Sequence, residues 1–523
     1  MKDKLSLGGA KVKQFLLITG VLLAWTSCVT AADNVTLSTS DYKSMMQRMD
    51  ALQRQVNSLG TPAKSRGGSA RTEAVETKYD KLAQDMSGIY DTLDVVETKS
   101  LQDRINLGAE LRVRMDNWRT KDFIGSYVTD PTRTTAWYPA NFTPVSIVDQ
   151  TRDNFWTTRF RLNMDADVSR GLTFHARLAA FKAWADGDFE TTNDANRVHV
   201  PTDTTIKMDR AYVDWIPQGL PFPLAITFGR QPSSEGPPFE YKDNRKRQST
   251  YPALLFGGES DGIVATLGLE RYIKIRNSGL RFFYAKGFQS DDESFMAPYT
   301  YRAVDPNGLT DLNVYAVFLE GEIPKMRDSL VVVSYIHATD FNDQGMNYLF
   351  TSGQPITNVV SLGDIDVAGF HMQFTNIQNT GLDFFYSYGY VSANPSGNPA
   401  AGGMGLLSTD NTTSNTGDSH YLGLKYTLPL KAMKNPQIGF EYNKGSQYWF
   451  SFTWGAAEQY GKLATRGDVF DTYYIQPFNS NLFMRIGYTM INYDYTNSGS
   501  YLGDPTATEE SLTNFYMLLD CRF

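Results

Sequence analysis

Two hydrophobic periods divide the chain. Met45, Met49, Leu52, Val56 and Leu59 follow a four-three spacing, and Val75, Tyr79, Leu82, Met86, Ile89, Leu93 and Val96 continue it with charges between them. Apolar a and d positions sustained this way predict coiled-coil helices over 45–59 and 75–96. Gly60, Pro62, Gly67 and Gly68 separate the two runs. In the longer run Tyr79, Met86 and Leu93 fall at a, with Val75, Leu82, Ile89 and Val96 at d, a placement that leans toward trimers. The shorter run leans toward dimers. A hairpin of the two helices within one chain is the alternative to self-association.

From Arg104 the period drops to two. Ile105, Leu107, Ala109, Leu111, Val113 and Met115 alternate with Arg104, Asn106, Gly108, Glu110, Arg112 and Arg114. Trp156, Thr158, Phe160, Leu162, Met164, Ala166 and Val168 then alternate with Arg159, Arg161, Asn163, Asp165 and Asp167. Ionised groups at every second position suit a water-filled lumen, with the apolar set in lipid. The same reading places strands near 104–115, 156–168, 171–184, 207–216, 222–230, 260–270, 278–287, 311–322, 328–338, 364–375, 381–391, 418–428, 436–444, 467–477, 480–494 and 510–523. The expected fold is therefore an all-β transmembrane β-barrel of about 16 antiparallel strands over 104–523, behind an α-helical segment at 32–103. Strands 311–322, 328–338 and 467–477 are apolar on both faces or irregular, which leaves their register open.

Connections alternate in length. Ser169-Arg170-Gly171 and 217–221 are short, whereas 116–155, 185–206, 231–259, 288–310, 339–363, 392–417 and 445–466 are long. With the helical segment in the periplasm, every long loop falls outside, the pattern of outer-membrane barrels.

The first residues add a compartment. Lys2, Lys4, Lys11 and Lys13, an apolar run from Phe15 to Trp25 and the small residues Val29-Thr30-Ala31-Ala32 predict a signal peptide over 1–31. Cys28 permits lipoprotein processing as the alternative, although Trp25-Thr26-Ser27 lacks the usual Leu. Cleavage after Ala31 leaves Cys521 without a disulfide partner. Removing four Lys and one Asp takes the formal charge from −8 to −11, which argues against a nucleic-acid partner. No other apolar stretch is long enough for a membrane helix. Thirty Tyr, thirty-one Phe and forty-two Gly suit a barrel, yet by themselves leave a secreted β-sandwich open.

Phe515, Met517, Leu519, Cys521 and Phe523 alternate with polar or lumen-side residues and resemble the β-signal by which outer-membrane barrels are recognised for insertion. The expected partners are accordingly the barrel-assembly machinery, outer-membrane lipid and lipopolysaccharide.

Phe228-Gly229-Arg230-Gln231, Glu235-Gly236-Pro237-Pro238, Tyr251-Pro252-Ala253-Leu254-Leu255-Phe256 and Asp261-Gly262 resemble a family of outer-membrane porins of unassigned function from delta- and epsilon-proteobacteria, over about 104–523. More loosely, a helical extension ahead of the barrel resembles trimeric sugar porins and related general porins. Nothing matches the aromatic slide of the sugar porins, so no sugar specificity is implied.

Other classes fit less well. A TonB-dependent transporter needs a folded plug and about 22 strands. A barrel phospholipase needs a Ser–His pair near the outer rim. Of the five histidines, His175, His199, His337, His371 and His420, only His175 and His371 fall at inward strand positions, where a hydrogen-bonded wall residue is the simpler reading. Their spacing gives no metal site. Asp291-Asp292-Glu293 and Asp340-Phe341-Asn342-Asp343 read as solvated loop charge, with cation binding as the alternative.

The expectation is a porin, not an enzyme and without cofactor, passing small hydrophilic and possibly anionic solutes as a homotrimer. A closed barrel with a structural or adhesive role is the alternative. Arg112, Arg114, Arg159, Arg161, Arg177, Arg210 and Arg485 are expected to line one wall, with Glu110, Asp165 and Asp167 nearer the periplasm. The opposite wall offers Arg281, Lys425, Glu320, Asp383 and Glu441. Loop 231–259, stiffened by prolines at its start, is expected to fold inward and present Glu235, Glu240, Lys242, Asp243, Arg245, Lys246 and Arg247. Trp118, Trp156 and Trp184 are placed near the outer interface and Trp215 near the inner one.

Overall fold

The chain divides into two units, Met1–Asp103 and Arg104–Phe523. The computed structural model describes residues 105–128, 142–184, 205–288, 311–342, 361–398, 405–453 and 459–523. The signal peptide at 1–31 and the heptads at 45–59 and 75–96 lie outside the described residues.

The alternating segments form β1 (Ile105–Val128), β2 (Phe142–Ser169), β3 (Leu172–Ala183), β4 (Thr205–Trp215), β5 (Leu224–Arg230), β6 (Asp261–Gly268), β7 (Gly279–Phe288) and β8 (Leu312–Gly321). They continue as β9 (Ser329–Asn342), β10 (Ser361–Phe374), β11 (Leu382–Pro395), β12 (Thr416–Thr427), β13 (Gln437–Gly445), β14 (Gly467–Pro477), β15 (Leu482–Tyr493) and β16 (Ser511–Arg522). Each pairs antiparallel with its chain neighbours, and β1 pairs with β16, so the sheet closes into a sixteen-stranded barrel. Closure removes every sheet edge, the condition for strands to stand in lipid. Leu107, Leu111, Phe160, Ile263, Phe282, Tyr315, Val333, Leu424, Ile438, Phe515 and Leu519 form an exposed apolar outer face.

Three sequence expectations are corrected. The segment 116–155 is mostly strand, because β1 and β2 stay paired from Ile105↔Ala166 to Val128↔Phe142, with bulges near Asp116, Thr120 and Gly125. The hairpin hid from the alternation because each bulge resets the face on which the apolar side chains fall. Asp340, Phe341 and Asn342 end β9 rather than lying in a loop. Phe341 is buried, and Asp340 accepts a hydrogen bond from Ser361. Residues 291–293 are outside the described residues. Trp156 and Trp184 stack 5.0 Å apart, and Trp184 and Trp215 are exposed, but Trp118 meets Tyr460 of the β13–β14 loop edge-on at 6.4 Å. Paired across β16 with the buried Asn514, it shares the inward side of β1.

The interior has two characters. Inward positions of β6–β11 are largely apolar, among them Val264, Phe283, Phe318, Val332, Ile336, Val367 and Phe385, with Arg281, Glu320 and Asp383 as charged exceptions. They pack against Phe239, Tyr241, Leu254, Leu255 and Phe256 of the β5–β6 loop, and against Leu406, Trp449, Phe450 and Phe452 of two later long loops. Strands β8 and β9 thus carry apolar residues on both faces, the inner one packed against the loops and the outer one exposed as a barrel's lipid side is. The remaining wall, β1–β4 and β12–β16, carries charge.

Candidate functional site: the loop inside the barrel

The β5–β6 connection, residues 231–260, enters the lumen instead of projecting from it. Its four-residue helix α1 (Phe239–Lys242) buries Phe239, Tyr241 and Lys242. Tyr251 meets Phe318 edge-on at 4.8 Å, and Tyr241 hydroxyl bonds Thr375 at 3.0 Å. Backbone bonds from Gly257 N to Phe452 O (2.7 Å) and from Phe452 N to Leu255 O (3.0 Å) tie the loop to the β13–β14 loop. Glycines on the barrel wall make the space: a Cβ on Gly369 would lie 2.2 Å from Leu255, and one on Gly389 2.4 Å from Trp449.

The charged edge of the loop faces the arginine wall. Glu235 Oε1 accepts from Arg161 Nη1 at 2.7 Å and Arg159 Nη1 at 3.4 Å, while Oε2 accepts from Arg245 at 2.7 Å and Arg177 at 3.4 Å. Arg210 Nη2 stands 3.8 Å away. Burial pushes the Glu235 carboxyl up, and Arg161, Arg245, Arg159 and Arg177 together pull it well below the usual carboxylate range. Asp243 lies 3.1 Å from Arg112 and 3.2 Å from Arg485. There too the guanidiniums overcome burial and lower the carboxyl. Glu110 pairs with Arg245 at 3.0 Å, Asp520 with Arg112 at 2.7 Å, and Asp209 with Arg177 at 2.8 Å.

A second cluster clamps the loop from the far side. Lys242 Nζ reaches Asp471 at 2.5 Å and Glu441 at 3.2 Å, and Lys462 Nζ of the β13–β14 loop reaches the same two carboxylates at 2.9 and 2.5 Å. Glu441 and Asp471 are direct cross-strand partners, so without the lysines they would repel. Arg247 and Arg281 share Glu320 at 3.3 and 2.8 Å, and Lys425 pairs with Asp383 at 3.0 Å. Glu240 accepts from Gln373 at 2.7 Å, and burial raises its carboxyl above the ordinary range. Lys246 is exposed.

The long-loop end is laced together. Arg466, fully buried, donates to the carbonyls of Trp449, Thr496, Asn497 and Ser500 at 3.0, 3.1, 2.8 and 2.7 Å. Burial lowers its guanidinium to about 10, so it remains charged at neutral pH.

The sequence-chosen residues come together unevenly. Arg112, Arg159, Arg161, Arg177, Arg210, Arg485 and Glu110 converge on the loop, Asp383 and Glu441 sit on the opposite arc, and Arg114 instead pairs along its own strand with Asp116 at 2.8 Å. Asp165 and Asp167 stand exposed toward the short turns, Asp165 bonded to His175 at 2.5 Å. These guanidiniums are mostly buried and ion-paired with carboxylates that β-alternation alone does not couple to them. Asp209 escaped the sequence reading because a bulge between Arg177 and Leu178 re-aims it beside Arg210. Lys462 and Arg466 belong to a loop without periodicity, so no pattern marks them.

On β16, Phe515, Leu519, Cys521 and Phe523 face outward and exposed, and Met517 lies between them on the same face. His371 Nδ1 and Ser387 Oγ lie 2.7 Å apart on β10 and β11, with Gln373 at 3.0 Å from Nε2. His371 and Ser387 are both buried beside the apolar core.

Beneath the loop, toward the short turns, a polar cavity of about 520 Å³ and a more apolar one of about 420 Å³ share Tyr212, Arg247 and Gln248 on their walls.

The profile of a family described as "Protein of unknown function (DUF3373)" matches residues 149–521. No curated protein matches the chain. Among solved structures it is similar to Pseudomonas putida OprB, at 11% identity over 82% of this chain and 96% of that one, with a TM-score of 0.44. It is similar also to the anion-selective porin from Comamonas acidovorans, at 9% identity over 80% of this chain and 99% of that one, TM-score 0.43. Salmonella typhi OmpF, in complex with daunomycin, gives 10% identity over 80% and 97% of the two chains, TM-score 0.41.

Proposed function

This chain belongs to the family described as "Protein of unknown function (DUF3373)", and from that premise we propose that it is an outer-membrane porin through which small hydrophilic, anionic solutes diffuse passively. The observation that carries the reading is a closed sixteen-stranded barrel, apolar outside and charged inside, with one loop seated in its lumen. A membrane barrel with a hydrophilic interior wall is built to pass water-soluble matter. The short turns then face the periplasm and the long loops the exterior, and the outward apolar residues of β16 serve recognition by the barrel-assembly machinery. No catalytic role is assigned, and lipid and lipopolysaccharide are the surrounding partners.

The oligomer is a homotrimer in this reading, joined by the heptads at 75–96, a helix of about 33 Å. A monomer by light scattering in detergent, with and without residues 32–100, would remove the trimer.

A second reading has one observation in its favour. The apolar core that fills the β6–β12 side of the lumen suits a closed barrel with a structural or adhesive role. Purified protein in a planar bilayer separates the two: a porin gives stepwise ion conductance, and a closed barrel leaves the bilayer silent.

A further inference from the structure

The arginine cluster around the loop holds more positive charge than it can neutralise. Among the described residues, Arg112, Arg159, Arg161, Arg177, Arg210 and Arg245 share Glu110, Asp209, Glu235, Asp243 and Asp520 within ion-pair distance. Six cations therefore meet five carboxylates in a buried setting, and two of those carboxylates are shared further, Asp243 with Arg485 at 3.2 Å and Asp520 with Arg522 at 2.5 Å. Buried charge is costly unless compensated. Among the described residues Arg210 Nε, and Arg159 Nε and Nη2, lack a hydrogen-bond acceptor, and Glu110 Oε2 and Asp243 Oδ2 lack a donor, all of them buried atoms. Arg210 is 8% exposed; it donates to the Ser234 carbonyl at 3.3 Å and stands 3.8 Å from Glu235, a carboxylate shared by four other arginines.

This surplus adjoins space. Arg177 and Arg210 form part of the wall of the cavity of about 520 Å³, opposite Arg247 of the loop. Asn106, Asn163 and Tyr212 add neutral polar groups to the same wall. Asp165, the carboxylate on that wall, is engaged by His175 at 2.5 Å. The His175 and Tyr212 rings stack 4.7 Å apart and keep that side firm.

We propose that this cavity is a binding site for a small oxyanion, a phosphate or carboxylate group taken from the water phase and held against Arg210 and Arg247. A guanidinium edge presents two parallel N–H donors that match two oxygens of such a group, which a spherical halide cannot use together. The bound anion supplies the charge that the cluster lacks, and the neutral polar wall accommodates the rest of a hydrophilic solute. The proposal rests on the porin reading for its biological sense and names the solute class, but the site does not need conduction in order to bind.

Isothermal titration of the full chain in detergent at constant ionic strength, with inorganic phosphate and separately with succinate, tests the site. Saturable binding is expected for at least one of the two, weakened about tenfold or more in Arg210→Gln. Gln248→Glu, which adds a carboxylate to the cavity wall and breaks no ion pair, is expected to weaken it similarly and decides the matter if Arg210→Gln does not fold. Lys431→Gln, on an exposed short turn, is expected to bind as the parent does. Absence of saturable binding for both anions, or equal affinity in the parent and Gln248→Glu, overturns the site. A protein that conducts but binds neither anion loses only this site. One that binds but never conducts keeps the site and loses the porin reading.

Discussion

Glu235 is the residue on which the loop's ionic attachment turns. It enters the arginine wall with a positive φ of 62°, so the chain reverses there and directs the carboxylate back toward β2, β3 and β4. Removing one partner of a buried ion pair costs about 3–5 kcal/mol, because the other charges stay behind unpaired. Glu235→Gln is expected to fall at the lower end of that range, since Arg177 keeps Asp209 and Arg245 keeps Glu110. Urea unfolding in detergent, followed by tryptophan fluorescence, measures it. The pH dependence has a definite sign. The folded carboxyl is lowered, so its stabilisation is fully present above the ordinary value of 4.5 and is lost as pH falls below it toward the folded value. The gap between parent and Glu235→Gln is therefore expected to be constant from neutral pH to about pH 5 and to close in stronger acid. A gap that widened on acidification, or none at pH 7, would mean that the arginines do not depend on this carboxylate. At this scale the sequence was half legible. Alternation put Arg112, Arg159, Arg161 and Arg177 on one side of the sheet, and in the structure all four meet the carboxylates of the loop or the wall. It could not show that Glu235 and Asp243 would come to meet them, because those arrive on a loop with no repeat of its own.

At the scale of elements, sixteen strands were readable because a half-buried strand must alternate, and fifteen connections had to lie between them. The ambiguous strands carry the most information in retrospect. A barrel strand with water on its inner face cannot afford apolar residues there, so the two-sided apolar pattern of β8 and β9 already implied something packed inside. The packed object is the β5–β6 loop with parts of two others, and its fit depends on missing side chains as much as on present ones. Gly369 on β10 faces Leu255 so closely that any Cβ must displace the loop or the strand. Gly369→Val is expected to destabilise the barrel by about 1–3 kcal/mol through overpacking, and to loosen the loop while leaving every ion pair intact. Limited proteolysis at Lys246 and Arg247 would then quicken relative to the parent. Unchanged cleavage together with unchanged unfolding would show that Leu255 repacks freely and that the apolar side of the loop contributes little. The long β1–β2 hairpin was illegible for the opposite reason, since three bulges broke a pattern that is otherwise regular.

Over the whole molecule, the question is how much of the barrel's cross-section remains for solute. A ring of sixteen strands leaves an aqueous channel when only its walls occupy it. Here the β6–β12 arc is filled by the apolar core, where Trp449, Leu255 and Ile336 are buried and no water-soluble species has a path. In the porin reading, what is left for solute is the charged arc, where the loop and the arginines meet above the two cavities. Conductance is therefore expected to be small for a ring of this size and to rise several-fold when residues 239–250 are replaced by a short Gly-Ser linker, because that segment carries α1 and both faces of the obstruction. Selectivity follows from the same geometry. The surplus of positive charge lies within the narrow part, whereas acidic groups such as Asp165 and Asp167 are exposed nearer the short turns. Exposed charges more than about 8 Å away, such as those at the short turns, are screened at physiological salt, and Asp165, on the wall of the larger cavity, is engaged by His175. Reversal potentials under a KCl gradient are expected to show anion preference in the parent, reduced when Arg112, Arg159 and Arg161 are replaced by Ala. Unchanged conductance on removing 239–250 would place the current outside this route altogether, and cation preference would mean that the arginines serve only to hold the loop's carboxylates in place.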